Sequence, residues 1–170
     1  RAGSKRLPGK NLLMLGDKPL ISWSIKAALR SNYIDRVIVS TDSQEIADDS
    51  RYWGADVPFI RPDYLATDDT ETLAVLKHAI SQVHRLDPLI SYTYVLLLQP
   101  TSPLRTEKHI DEAVDRFVIN YTNTVISVTR LEHPIEWTGN VNNRMEMNDF
   151  ETLSSELETA IPSSPRYRLN

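Results

Sequence analysis

The chain has 170 residues, 41% of them hydrophobic and 25% charged, with a formal net charge of −4. This is the composition of one globular domain with a sizeable core, and the acidic balance excludes a broad phosphate-backbone binder, so any anion site must be local. There is no cysteine, which excludes disulfides and thiolate chemistry and fits a cytoplasmic protein; no apolar run reaches membrane-spanning length, so neither nucleic acid nor membrane is expected as a partner.

The chain opens RAGSKRLPGKN, with Arg1, Lys5, Arg6 and Lys10 and no acid before Asp17. Gly3 and Gly9 let backbone N–H groups approach a ligand closely. Lys5 and Lys10 are point charges on flexible stems, and Arg1 can grip two oxygens at once. Together they can cradle a polyphosphate. The spacing is neither a Walker loop nor the Rossmann glycine fingerprint. A solvated basic loop is an equal reading of these residues.

From Pro19 to Ser31 the apolar residues Ile21, Ile25, Ala28 and Leu29 follow a helical period, with Pro19 suited to the first turn. Arg36–Ser40 is a β-branched run and predicts a buried strand. Asp42 with Glu45 predicts a helix start, and Gly54 its end. Val57–Ile60 predicts a short edge strand interrupted by Pro58. A polar loop, Arg61–Thr70, leads to a helix whose inward face is expected at Leu73, Leu76, Ile80 and Val83.

Tyr94–Leu98 is the most apolar stretch and predicts a central parallel strand. It runs into Gln99–Arg105, where Pro100 and Pro103 stiffen the backbone and hold Gln99, Thr101 and Ser102 as oriented polar groups. A proline turn followed by a helix cap is the plainer reading. Thr106 predicts a cap for a helix with Ile110, Ala113, Val114, Phe117 and Val118 facing inward. Thr124–Thr129 predicts another strand, and Asn140–Asn148 a hairpin. The histidines 78, 84, 109 and 133 show no ligand spacing, and those on predicted helices are expected on solvated faces.

Strands alternating with helices predict an α/β fold, a mostly parallel sheet covered on both faces. Ligands of such sheets bind beyond the carboxyl ends of the strands. That rule selects Arg1–Asn11, Ser40–Asp42, Arg61–Thr72 and Gln99–Arg105. Capping explains Asp42 and the Thr67–Thr70 hydroxyls as well as ligand binding does.

RAGSKRLPGKNL, followed by LLLQPTSPLR at Leu96–Arg105, resembles the acylneuraminate cytidylyltransferases, the CMP-sialic acid synthetase family. VIVSTD at Val37–Asp42 and RPDYLATD at Arg61–Asp68 match further family segments in order, and Arg166–Asn170 resembles the start of the family's R-x-N-G-A-x-Y segment. The resemblance implies a three-layer, Rossmann-like nucleotidyltransferase fold, with residues 1–170 as one partial cytidylyltransferase domain. It implies a strand before Arg1, and metal-holding aspartates and dimer contacts after Asn170. It also implies transfer of CMP from CTP to a nonulosonic acid, with Mg²⁺, in a homodimer serving surface polysaccharide synthesis.

By the same resemblance Arg1, Lys5 and Lys10 would hold the triphosphate, with Lys10 and Arg1 catalytic, and Asn11 would lie at the base or ribose. Arg61, Thr70 and Thr72 would form the cytosine pocket. Gln99, Thr101, Ser102 and Arg168 would face the sugar acid or the reacting phosphate. The rival readings are another nucleotidyltransferase acting on a sugar phosphate, and a CTP-binding module without turnover.

Overall fold

The first long helix, α1 (Leu20–Arg30), is buried along much of its length, and the described core forms on two sides of it. In the computed structural model the described residues are 3, 7–130 and 167–169. They fall into two compact units, Arg1–Tyr121 and Thr122–Asn170.

In the first unit, Ile21 and Ile25 of α1 pack with Ile46 and Ala55, and with the half-buried Leu12, Val37, Val39 and Trp53. Ala27 and Ala28 pack with Ile110, Ile34, Val37 and Leu98. Small residues on this second face let another helix come close, while Val37 touches both clusters. Ahead of α1, a two-residue hairpin pairs β1 (Met14–Leu15) with β2 (Lys18–Pro19). The turn places Gly16 at φ 70, a conformation that favours glycine.

Helix α2 (Gln44–Tyr52) begins one residue later than expected. Its cap is Ser43, whose hydroxyl accepts from the Ile46 N–H at 3.3 Å, so the Asp42 cap is corrected. The helix does end before Gly54, at φ 96. Helix α3 (Thr72–Leu86) keeps its expected face in part, with Leu76 half-buried. Val83 is buried, whereas Leu73 and Ile80 are exposed. His78 instead sits on the covered side with its ring edge-on to Phe59, centroids 5.2 Å apart, which corrects its assignment to a solvated face. Helix α4 (Glu107–Ile119) buries Ile110, while Val118 points outward. Thr106 caps it as expected, with His109 as its reciprocal partner. The Thr106 N–H donates to His109 Nδ1 at 3.2 Å.

The strands differ most from expectation. Between Arg36–Ser40 and Val57–Ile60 there is a single parallel bridge, Ile38 to Asp56. The Val39 N–H donates to the Asp56 carbonyl at 2.9 Å, and the Asp56 N–H to Val37 at 2.8 Å. The next donor in such a ladder would be residue 58, a proline with no N–H. The pairing therefore stops after one step. Tyr94–Leu98 joins no ladder among the described residues. Leu98 reaches the Ile110 cluster and Tyr94 meets Phe117 edge-on at 4.9 Å, but Tyr94 is 67% and Val95 57% exposed. An apolar run becomes a strand only where a neighbour accepts and donates its backbone bonds, and no described segment does so here.

Arg36 ties the start of the first run to two other segments. Its guanidinium binds Asp56, and Asp87 at 2.6 Å, and lies 3.4 Å from the Tyr92 hydroxyl. In the second unit, β3 (Val128–Arg130) pairs antiparallel with β4 (Tyr167–Leu169). The expected strand thus starts at Val128 rather than Thr124. The expected Asn140–Asn148 hairpin lies outside the described residues.

Candidate functional site

The site is built from the loops that follow the apolar runs and from the end of the opening loop. Gly9 adopts a left-handed conformation, φ 64, and starts a single 3-10 turn over Lys10–Leu12. The Leu12 N–H donates to the Gly9 carbonyl at 2.9 Å. Leu12 then packs into the Ile21 cluster, which anchors the turn and leaves Lys10 half-buried beside it. Asn11 is 8% exposed. Arg1 and Lys5, expected at the triphosphate, lie outside the described residues.

The second loop is Ser40–Ser43. Thr41 is fully buried, and its hydroxyl accepts from the Ser43 N–H at 3.2 Å. Arg61 folds back onto it. The guanidinium donates to the Ser40 hydroxyl at 3.1 Å and to the Ser40 carbonyl, while the Arg61 N–H donates to the Thr41 carbonyl at 2.8 Å. Two of the loops expected at one site are thereby joined. Thr70 is held within its own loop, 2.7 Å from the Thr67 hydroxyl. Thr72 is the exposed first residue of α3.

In the third loop the Gln99 side chain and Thr101 are exposed and Ser102 is half-buried. The Ser102 N–H donates to the Gln99 carbonyl at 3.3 Å, and the Arg105 N–H to Ser102 at 3.2 Å. Arg105 closes the loop from below and is half-buried. Desolvation lowers its pKa from the ordinary arginine value, and the group stays charged at neutral pH. Sequence reasoning assigned Arg105 no role. The only signal was its place at the end of a proline-bounded loop, and nothing in the sequence pointed to its partner on α1, Ser24. Arg168 lies in β4, opposite Thr129.

The structure joins Ser40–Thr41 to Arg61 directly, whereas the Lys10 turn is tied to the core through Leu12 and the Gln99–Arg105 loop to α1 through Ser24; together these loops offer a half-buried lysine, hydroxyls and amides. That is suited to holding a charged, oxygen-rich ligand by position and charge. No group of three or more His, Asp or Glu among the described residues is placed to hold a metal ion. No helix among them is long and apolar enough to cross a membrane.

Residues 1–156 match the cytidylyltransferase family. The chain belongs to that family. It is 38% identical to the CMP-N,N'-diacetyllegionaminic acid synthase of Legionella pneumophila over 170 residues, which is 100% of this chain and 72% of that protein. It is 40% identical to the N-acylneuraminate cytidylyltransferase of Escherichia coli over 155 residues, 91% of this chain and 34% of that protein. Among solved structures it is similar to CMP:2-keto-3-deoxy-manno-octonic acid synthetase complexed with CTP. The TM-score there is 0.53 at 20% identity, covering 75% of this chain and 46% of that one. This likeness supports the expected nucleotidyltransferase fold, and the family match bears out the resemblance seen in the loops. Of the segments that carry the resemblance, Val37–Asp42 and Arg61–Asp68 are joined in the structure through Arg61 and Ser40.

Proposed function

We propose that this cytidylyltransferase transfers CMP from CTP to the anomeric hydroxyl of a nonulosonic acid. The observation that carries the reading is the similarity along the whole chain to a CMP-N,N'-diacetyllegionaminic acid synthase. The sugar hydroxyl oxygen forms a bond to the α-phosphorus. The bond from that phosphorus to the bridging oxygen breaks, and pyrophosphate leaves in line. The hydroxyl proton passes to solvent.

The protein's task is positioning and charge. Lys10 stabilises the charge that builds on the α-phosphate, and Arg1 and Lys5 hold the departing pyrophosphate. Asn11 lies at the base or ribose. Arg61, held on Ser40, borders the cytosine with Thr70 and Thr72. Gln99, Thr101, Ser102 and Arg168 face the sugar acid. Mg²⁺ would accompany the nucleotide and would supply charge neutralisation at its phosphates, with none of the described residues assigned to hold it. The active protein is proposed to be a cytoplasmic homodimer that supplies activated sugars for surface polysaccharide synthesis.

The deciding experiment is pyrophosphate release by the full-length protein with CTP and Mg²⁺. The acceptors are sialic, legionaminic, pseudaminic and KDO acids. Release with a nonulosonic acid is expected. Normal CTP binding with silence across the panel would overturn the reading.

A further inference from the structure

The Gln99–Arg105 loop has an unusual bracing problem. Pro100 and Pro103 have no N–H to donate, so the loop cannot be stitched along its length by its own backbone. Its internal backbone bonds are Ser102 to Gln99 and Arg105 to Ser102. The remaining support converges on one atom, the Gln99 carbonyl oxygen. It accepts from the buried Ser24 hydroxyl of α1 at 3.4 Å, and from both terminal nitrogens of Arg105 at 3.4 Å. Arg105 Nη1 also lies 3.4 Å from the Ser24 hydroxyl oxygen, which closes a triangle. A carbonyl has two lone pairs, and these are long contacts, so the donors share the oxygen rather than adding to one another. Among the described residues Arg105 has no carboxylate partner, so its directional contacts go to this loop and to Ser24.

We propose that Arg105 is a positioning residue for the sugar-acid side of the site, bracing the Gln99–Ser102 segment against Ser24 of α1. The proposal rests on the CMP-transfer reading, which places Gln99, Thr101 and Ser102 at the sugar acid. Arg105 touches no substrate in this scheme. Its loss leaves the nucleotide side in place, because that side is held by different contacts. Arg61 is tied to Ser40, and the Lys10 turn is anchored by Leu12.

The test is steady-state kinetics of the full-length protein with CTP and the acid that the wild type turns over. Arg105→Met is expected to raise KM for the sugar acid about tenfold or more, with KM for CTP within about twofold. Arg105→Lys should fall between, because an ammonium cannot span two acceptors as a guanidinium does. Ser24→Ala should shift the sugar KM in the same direction by less. The double variant should lose less than the product of the single effects, since both groups act on one carbonyl. Arg85→Met, on the exposed side of α3 with Gln82 as its partner, serves as the control and should match the wild type.

Equal rises in both KM values would overturn the proposal and make Arg105 a general scaffold residue. Wild-type kinetics in Arg105→Met would overturn it too. If Arg105→Met does not fold, Arg105→Lys and Ser24→Ala carry the test, and an unchanged sugar KM in both overturns it. A wild type silent with every acid fails one step earlier and overturns the functional reading together with this inference.

Discussion

Val37–Ser40 and Tyr94–Leu98 each lead into a loop bearing candidate site residues, yet the two runs are held in different ways. The first is bridged to Asp56, packs on both sides of α1 through Val37, and ends on the buried Thr41. Arg61 locks its far end. The second makes no ladder among the described residues and is largely exposed at Tyr94 and Val95. Its loop is positioned by side chains, with Leu98 on the Ala27–Ala28–Ile110 cluster and Arg105 on the Gln99 carbonyl. Similar composition thus leads to two kinds of support: one from backbone pairing and burial, the other from a few side-chain contacts.

The largest test removes what the two regions share. Ile110 is 2% exposed and is the largest buried side chain of the cluster with Ala27 and Ala28, against which both Val37 and Leu98 pack. Ile110→Ala should cost about 3 kcal/mol of stability through lost burial and the cavity left behind, read as a shift in urea midpoint at constant slope. An effect below about 1 kcal/mol would mean that the two runs do not depend on a common core.

Lys10→Ala tests the chemistry beside the first region. Turnover should fall about 100-fold, near 2.7 kcal/mol of lost transition-state stabilisation, with a smaller change in CTP affinity. Single-turnover kinetics with direct CTP binding separates the two. An unchanged kcat would remove Lys10 from the reacting phosphate.

Arg61→Ala sharpens the comparison with Arg105. It should raise KM for CTP about tenfold and relax discrimination against UTP, since charge-assisted hydrogen bonds of this kind contribute about 1.5–3 kcal/mol. The sugar KM should move little, the reverse of the Arg105 pattern. Unaltered base selectivity would leave Arg61 as a tie for Ser40 alone.

The smallest effect concerns the joint between α1 and α4. Asp111 accepts from the Ser31 hydroxyl at 2.5 Å and from Asn32 Nδ2 at 2.7 Å. The Ser31 hydrogen bond, followed by those from Asn32, holds the carboxyl below its ordinary pKa. A depressed folded pKa contributes stability that is present above the unfolded value, about 3.9, and is lost as pH falls through the lower folded value. Asp111→Asn should therefore flatten slightly the loss of stability as pH falls below the unfolded carboxylate value, measured by denaturation at each pH. An acid limb identical to wild type would show that this carboxylate does not stabilise the joint.

The helices were legible because their signals are local. The periodic apolar residues of α1, the Thr106 cap and the glycine after α2 act within one or two turns of chain, and each is found near its expected place. The family resemblance was legible for a similar reason, since its loops are contiguous words in the chain. Side-chain facing on α3 was not, because His78 meets Phe59 from a distant segment. Nor was the extent of pairing at Ile38, which depends on Pro58 falling two residues past its partner Asp56, or the role of Arg105, which depends on Ser24 some eighty residues away.

By itself, then, the sequence determined which segments turn into helices, where the polar loops fall and which family they belong to. Tertiary structure decided which apolar runs find backbone partners, which arginine braces which loop, and how Arg61 joins the loop after Ser40 to its own. The physical reason is range. Propensity and capping are settled between near neighbours, whereas a ladder, a core contact or a guanidinium bridge exists only once distant segments have been brought within hydrogen-bonding or packing distance.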